Sequence, residues 1–173
     1  MKSFHQDISI FPRGRQISGG SRPGRYLLGD LARYSKLPIL RYLIASRDLP
    51  VSGNLIRTAD VAGGQIYVKG THVLPLGRLA DTYGEDIQGF LKKGRELGGS
   101  PQPYGDASLM LFPFPRVPVI ILLWKSDEEF PSRSDLLLDS TCELQLPPDI
   151  IWATTMMSLS MMLEPVPGGR GFP

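Results

Sequence analysis

An apolar run, Val117 to Trp124, leads through Lys125 and Ser126 into three consecutive acids, Asp127, Glu128 and Glu129, and the next apolar stretch closes on another carboxylate, Asp139. Two chemistries fit that pattern. Several carboxylate oxygens converging on one point suit Mg²⁺ or Ca²⁺. A pair of carboxyls in unlike environments suits acid–base catalysis, one protonated and the other ionised. Asp106 and Arg116 are the residues best placed in the sequence to complete such a site, and the guanidinium fork of Arg116 matches a carboxylate or phosphate. The same residues also fit an acidic turn that caps a buried strand, with the Phe130 ring buried and Asp106 or Arg116 as a salt-bridge partner. Consecutive residues seldom aim at one point, and tight turns commonly carry acids, which favours the turn.

Other chemistries find little support. Cys142 is the single cysteine, so this chain alone makes no intrachain disulfide and no Fe–S cluster is expected from it. His5 and His72 are far apart, and no ligand spacing suggests zinc. Nothing in the spacing brings Cys142 to His72 as a nucleophile and base. The Gly-rich LGGSPQPYGD lacks Lys-Ser/Thr after its glycines and follows no obvious strand, so it is not a phosphate cradle.

The elements that must position these residues follow from periodicity. Tyr26, Leu27, Leu31 and Tyr34, then Leu40, Leu43 and Ile44, recur at helical spacing, with Pro38 expected to end or kink the helix near Leu37. Leu55 to Thr58 and Gln65 to Lys69 read as a hairpin around Gly63-Gly64. Leu79, Tyr83, Ile87, Phe90 and Leu91 mark an amphipathic helix over 76–97, with Gly84 as a splitting point. Ala107 to Phe112 and Val117 to Trp124 read as strands, the second apolar enough to be covered on both faces. Leu136 to Leu138 and Cys142 to Leu146 read as short extended pieces, and Pro147-Pro148-Asp149 opens a last helix. That helix carries Trp152, Met156, Met157, Met161 and Met162 and no charge from 150 to 163. It is a core helix or, equally consistent with the pattern, a partner or homo-oligomer interface.

At 173 residues with 42% apolar and 21% charged residues, the chain has the composition of one globular domain rather than a disordered one. The fold class expected is α+β, a small mostly antiparallel sheet packed by about three helices. Residues 1–24 read as a basic, poorly ordered arm, with docking on a protein partner as its alternative role, 25–164 as the globular domain and 165–173 as a Pro/Gly-rich tail. A net charge of +2, with no aromatics interleaved among the arm's arginines, argues against nucleic acid. No apolar run approaches the ~20 residues that span a bilayer. A soluble, cytoplasmic protein with no membrane association is expected.

The order of motifs also carries a resemblance. ILRYLIAS, LPVSG, GGQIY, LPLGRLADTYGEDIQGF and the long LGGSPQPYGDASLMLFPFPRVPVIILLWKSDEEFPSRSDLLLD follow one another over Tyr26 to Leu163. This resembles a prokaryotic domain-of-unknown-function family, mostly from anaerobes, labelled as iron–sulfur cluster proteins. Some of its members carry a four-cysteine module like that of corrinoid iron–sulfur proteins, and this chain has no such module. Thr58, Ala59 and Asp60 stand where the family pattern has an aromatic and a basic residue before an acid. The resemblance implies a non-catalytic accessory or binding protein, or subunit, linked to anaerobic redox or corrinoid methyl-transfer metabolism. The alternative is a metal-dependent enzyme built on Asp127–Glu129.

Overall fold

The computed structural model describes residues 1–70 and 72–164. The tail expected over 165–173 lies outside them. The fold is α+β, as its sequence pattern implies, but with two antiparallel sheets and, among the described residues, six α-helices.

The larger sheet has the order β4-β8-β7-β6-β5, from β4 (Leu55–Arg57), β5 (Ser100–Pro101), β6 (Ala107–Phe114), β7 (Val117–Trp124) and β8 (Arg133–Asp139). β7 is central, pairing Ile120 with Met110 on one side and Leu137 on the other. Its odd-numbered residues, Val117, Val119, Ile121 and Leu123, join Leu109, Leu111, Leu136 and Leu138 in the main core. Alternation of side chains across the pleat puts Ile120 and Leu122 on the opposite face. They too are buried, yet they lie outside the main core cluster.

The core face is covered by α3 (Leu76–Tyr83), α4 (Ile87–Glu96) and α6 (Pro148–Met162). The expected helix over 76–97 does split at Gly84, and Asp86 restarts it by accepting from the N–H of Gly89 at 2.8 Å. α6 is buried almost all round. Met157, Met161 and Met162 are fully buried within the chain, and Trp152 and Met156 are half-buried against the core. The core reading of this helix matches that burial: an uncharged helix needs cover on every side, and here α2 (Ala32–Ala45) supplies the outer cover.

Residues 1–24 are not a loose arm. They form a three-stranded sheet, β1 (Lys2–Ser3), β2 (Gln6–Phe11) and β3 (Gln16–Gly19), followed by the start of α1 (Arg22–Leu28). The two-residue turn between β1 and β2 is Phe4-His5, with φ of 46° and 63°. Such a turn normally calls for Asn-Gly, so nothing in its composition announces a hairpin. Phe4 offsets the backbone cost by burying its whole ring, and its N–H donates to the Phe112 carbonyl at 2.9 Å. Arg22, at the head of α1, pairs with the buried Glu164, as does Lys93 from α4 at 2.6 Å.

Three further expectations are corrected. The break among the early helices falls at Gly29–Leu31, and α2 continues through Pro38. Pro38 removes one backbone hydrogen bond, but Ser35, Pro38, Ile39 and Tyr42 form one buried face against α6 that holds both halves. Cys142–Gln145 is a helical turn, α5, rather than a strand. The Gly63-Gly64 hairpin does not form, because β4 pairs with β8 and residues 58–67 fold into two 3₁₀ turns. Gly64 is required there because a Cβ would collide with the Thr58 carbonyl oxygen. Among the described residues no helix is long and apolar enough to cross a membrane.

Gly64→Ala is therefore expected to destabilise by about 2 kcal/mol in urea denaturation. Gly77→Ala, on the exposed side of α3 with open space around it, is expected to stabilise by ~0.5–1 kcal/mol. Equal behaviour of the two variants would contradict the packing of the 3₁₀ segment.

Candidate functional site

The six acid–base and ligand candidates are divided between the two ends of the large sheet. Asp106, Asp127, Glu128 and Glu129 lie at the end where β7 finishes. Arg116 and Asp139 lie at the other, where β7 begins and β8 finishes. The length of β8, about 20 Å, separates Asp127 from Asp139.

Each carboxylate with defined contacts is occupied by backbone. Asp127 Oδ1 accepts from the N–H groups of Glu129 and Phe130 at 2.9 and 2.7 Å, closing a turn on itself. Those two donors hold its carboxyl below the usual carboxylate range. Asp106 Oδ2 accepts from the Lys125 N–H at 2.8 Å. Arg116 pairs with Asp48, not with the acidic run. The turn reading of the acidic run stands, with one correction: Phe130 is 64% exposed and does not bury its ring. Its exposure follows from the turn, whose hydrogen bonds are local and need no inward anchor. Among the described residues, no group of three or more His, Cys, Asp or Glu is placed to hold a metal ion.

Asp139 is different in kind. It is 1% exposed and accepts five hydrogen bonds. Oδ1 takes the Ser52 N–H and hydroxyl at 3.2 and 3.0 Å and the Thr141 N–H and hydroxyl at 3.0 and 2.6 Å. Oδ2 takes the Gly53 N–H at 2.7 Å. Burial alone would push this carboxyl up, but the donors of Thr141, Ser52 and Gly53 outweigh it and hold the carboxyl below its usual range. Gly53, at φ 76°, makes the turn that presents its N–H. The group locks residues 52–54 beside β8 and so places β4, whose Leu55 faces Asp139. Cys142 is buried, and desolvation, then the charges of Glu143 and Asp139, push its thiol up to about 12; it is not a nucleophile in this setting.

The cleft with the strongest binding character lies elsewhere, in residues the acid-centred reading missed. A hollow of about 490 Å³ opens between α2, the 3₁₀ segment and the first turns of α6. Trp152 is its aromatic centre. The indole N–H donates to the His72 carbonyl at 2.8 Å, the His72 ring meets it edge-on at 4.8 Å, and Tyr34 meets it edge-on at 5.8 Å. Tyr67 closes one wall by donating its hydroxyl to the Pro148 carbonyl at 2.6 Å, and burial pushes this phenol up to about 12. Leu37 and Ile66, both substantially exposed, add apolar side chains to the lining, and Arg33 and Asp149 supply its charges. A second hollow, of about 550 Å³, lies between α1 and α4, but Lys93, Arg22 and Glu164 there satisfy one another. The sequence did carry one signal for the first cleft: α2 has apolar residues on two opposite faces, more than one core requires.

Asp139→Ala is expected to cost about 3 kcal/mol at neutral pH, since buried donors lose their acceptor. The Asp139 contribution is full above the unfolded carboxyl value of about 3.9 and disappears as pH falls through the lower folded value. Urea denaturation from pH 7 to pH 2.5 checks this, because the gap between native protein and Asp139→Asn should shrink on acidification. Mg²⁺ or Ca²⁺ is expected to leave the melting temperature unchanged, and Asp127→Asn should not alter that; a rise abolished by Asp127→Asn would restore the metal-enzyme reading.

No curated protein and no solved structure matched in the corresponding comparisons. The sequence does match a family over residues 1–161, a span that takes in both sheets, α1 to α5 and all of α6 but its last residue. The description of that family names no iron–sulfur cluster. The chain belongs to the family described as domain of unknown function (DUF3786).

Proposed function

We propose that this protein is a non-catalytic binding protein, an accessory component that receives an apolar or aromatic group of its partner in the Trp152 cleft. The observation that carries this reading is the cleft itself. Its floor and walls are aromatic and apolar, the side-chain donors of Trp152 and Tyr67 are satisfied by backbone carbonyls, and its charged groups, Arg33 and Asp149, are few. Such a surface recognises by burial and shape, with a few charges for orientation. Asp106, Asp127 and Asp139, three of the acids a catalytic reading draws on, are engaged with backbone at opposite ends of the sheet, which supports binding over turnover. The family resemblance supports placing this accessory role in a cytoplasmic setting beside anaerobic redox or corrinoid methyl-transfer chemistry.

A titration with the anionic aromatic dye 8-anilinonaphthalene-1-sulfonate checks the reading. One saturable site is expected, lost in Ile66→Asp and kept in Asp127→Asn. Ile66 is about half exposed, so its replacement should leave the fold intact, which far-UV circular dichroism verifies. A dye response that never saturates, or that Ile66→Asp leaves unchanged, sinks the proposal.

A further inference from the structure

α2 has two apolar faces, and the fold uses one. Ser35, Pro38, Ile39 and Tyr42, at spacings of three, one and three, are buried. At 100° per residue, Leu37, Leu40 and Ile44 fall on the side opposite that face. They are 56%, 42% and 79% exposed, and Leu43 beside them is also exposed. A helix apolar on both sides is ordinarily covered on both sides. The stripe is continuous with the Trp152 cleft, because Leu37 belongs to both and lines the cleft together with Ile66. With Ile66 it makes an exposed apolar surface of roughly several hundred Å², the scale at which such patches mark interaction sites.

The charges around the stripe select the occupant. Arg33 stands at its head, Lys36 and Arg41 flank it on either side, and Arg47 follows its end; all four side chains are exposed. α2 contains no acid, and the nearby Asp48 is engaged by Arg116. A second copy of this chain would set these four cations against their equivalents, so self-pairing along α2 is disfavoured. A flat lipid surface would meet the stripe but leave the adjacent hollow unfilled. A helix lying in the groove fills both.

We infer that α2 and the Trp152 cleft form a docking groove for an amphipathic helix of a partner protein, with acids flanking that helix's apolar stripe. The apolar stripe lies along Leu37, Leu40 and Ile44, one larger side chain enters the cleft between Leu37 and Ile66, and carboxylates meet Arg33, Lys36 and Arg41. This inference rests on the proposed binding role of the cleft and adds to it the partner's class and the surface that reads it.

Fluorescence anisotropy with a labelled helical peptide tests it, using about fifteen residues, enough for four turns. The peptide carries Leu at helical a/d spacing, one Phe and flanking Glu; a second peptide has Lys in place of Glu. The expected result is saturable binding of the Glu peptide that weakens at least tenfold in Ile44→Asp. The doubly reversed Lys36→Glu/Arg41→Glu protein should instead prefer the Lys peptide. Circular dichroism and melting curves of the full-length variants confirm that the fold is kept. Equal binding of the two peptides by the native protein, or no saturation of the Glu peptide, overturns the inference. So does sedimentation with phosphatidylserine–phosphatidylcholine vesicles that Ile44→Asp abolishes while the Glu peptide fails to bind, or a dimer in sedimentation velocity that the same variant dissolves. The dye titration separates the two levels: a dye site lost in Ile66→Asp but kept in Ile44→Asp, without peptide binding, removes the docking groove alone, whereas failure of both removes the cleft reading as well.

Discussion

β7 is the strand that the rest of the molecule accommodates. From Val117 to Trp124 it has no charged side chain, and it sits at the centre of the large sheet. An exposed strand of that composition would be an aggregation site, so both faces must be covered. On one face α3, α4 and α6 close the main core. On the other, Ile120 and Leu122 are buried apart from that core. The loops bordering this second face are held by polar side chains of the sheet itself. Ser108, paired with Leu122, engages Gln102 and the Tyr104 N–H, and Asp139 engages Ser52 and Gly53.

That arrangement explains why the most chemically suggestive acids have structural roles. Where strands end and chain turns back, backbone N–H groups lose their ladder partners and need acceptors. Asp106, Asp127 and Asp139 each supply one at a chain reversal beside β7 or β8. The three differ in consequence because they differ in burial. Asp127 and Asp106 serve donors in contact with water, whereas Asp139 is enclosed and its loss would strand several donors at once. Three acids that the sequence offers as one candidate site are thus three separate backbone acceptors in space.

The relation between α6 and α2 follows a similar logic. α6 has no charge with which to face water, so another helix must lie over it, and α2 does so with Ile39 and Tyr42 inward. The apolar surface left exposed is consequently the outer side of the helix that covers α6. Arg33, Leu37, Leu40 and Ile44 are what remains outward once Ser35, Pro38, Ile39 and Tyr42 have been placed. The Trp152 cleft exists because α2, α6 and the 3₁₀ segment meet at Pro38, Pro148 and Ile66 without filling the space between them.

Much of this architecture was legible in the sequence, and the rest had a definite reason not to be. The continuous apolar character of Val117 to Trp124 was enough to place a doubly covered strand. The three- and four-residue spacing from Leu79 to Leu91 was enough for a helix split near Gly84. One cysteine was enough to leave a cluster without ligands in this chain. These are local properties, set by composition and period. The N-terminal sheet was hidden because its tight turn uses Phe4-His5, and only the buried position of the Phe4 ring stabilises such a backbone. The Gly63-Gly64 pair was misread because the carbonyl that excludes a side chain belongs to Thr58, brought close by β4 choosing β8 as its partner. Leu40, Leu43 and Ile44 were seen to recur at helical spacing, but periodicity alone does not say which of two apolar faces turns inward. Packing against α6 made that choice, while the extended run of β8 placed Asp139 about 20 Å from Asp127. The sequence by itself determined which segments are apolar and with what period. Tertiary structure alone decided which faces meet and which carboxylates share a site, because both depend on contacts between residues far apart in the chain.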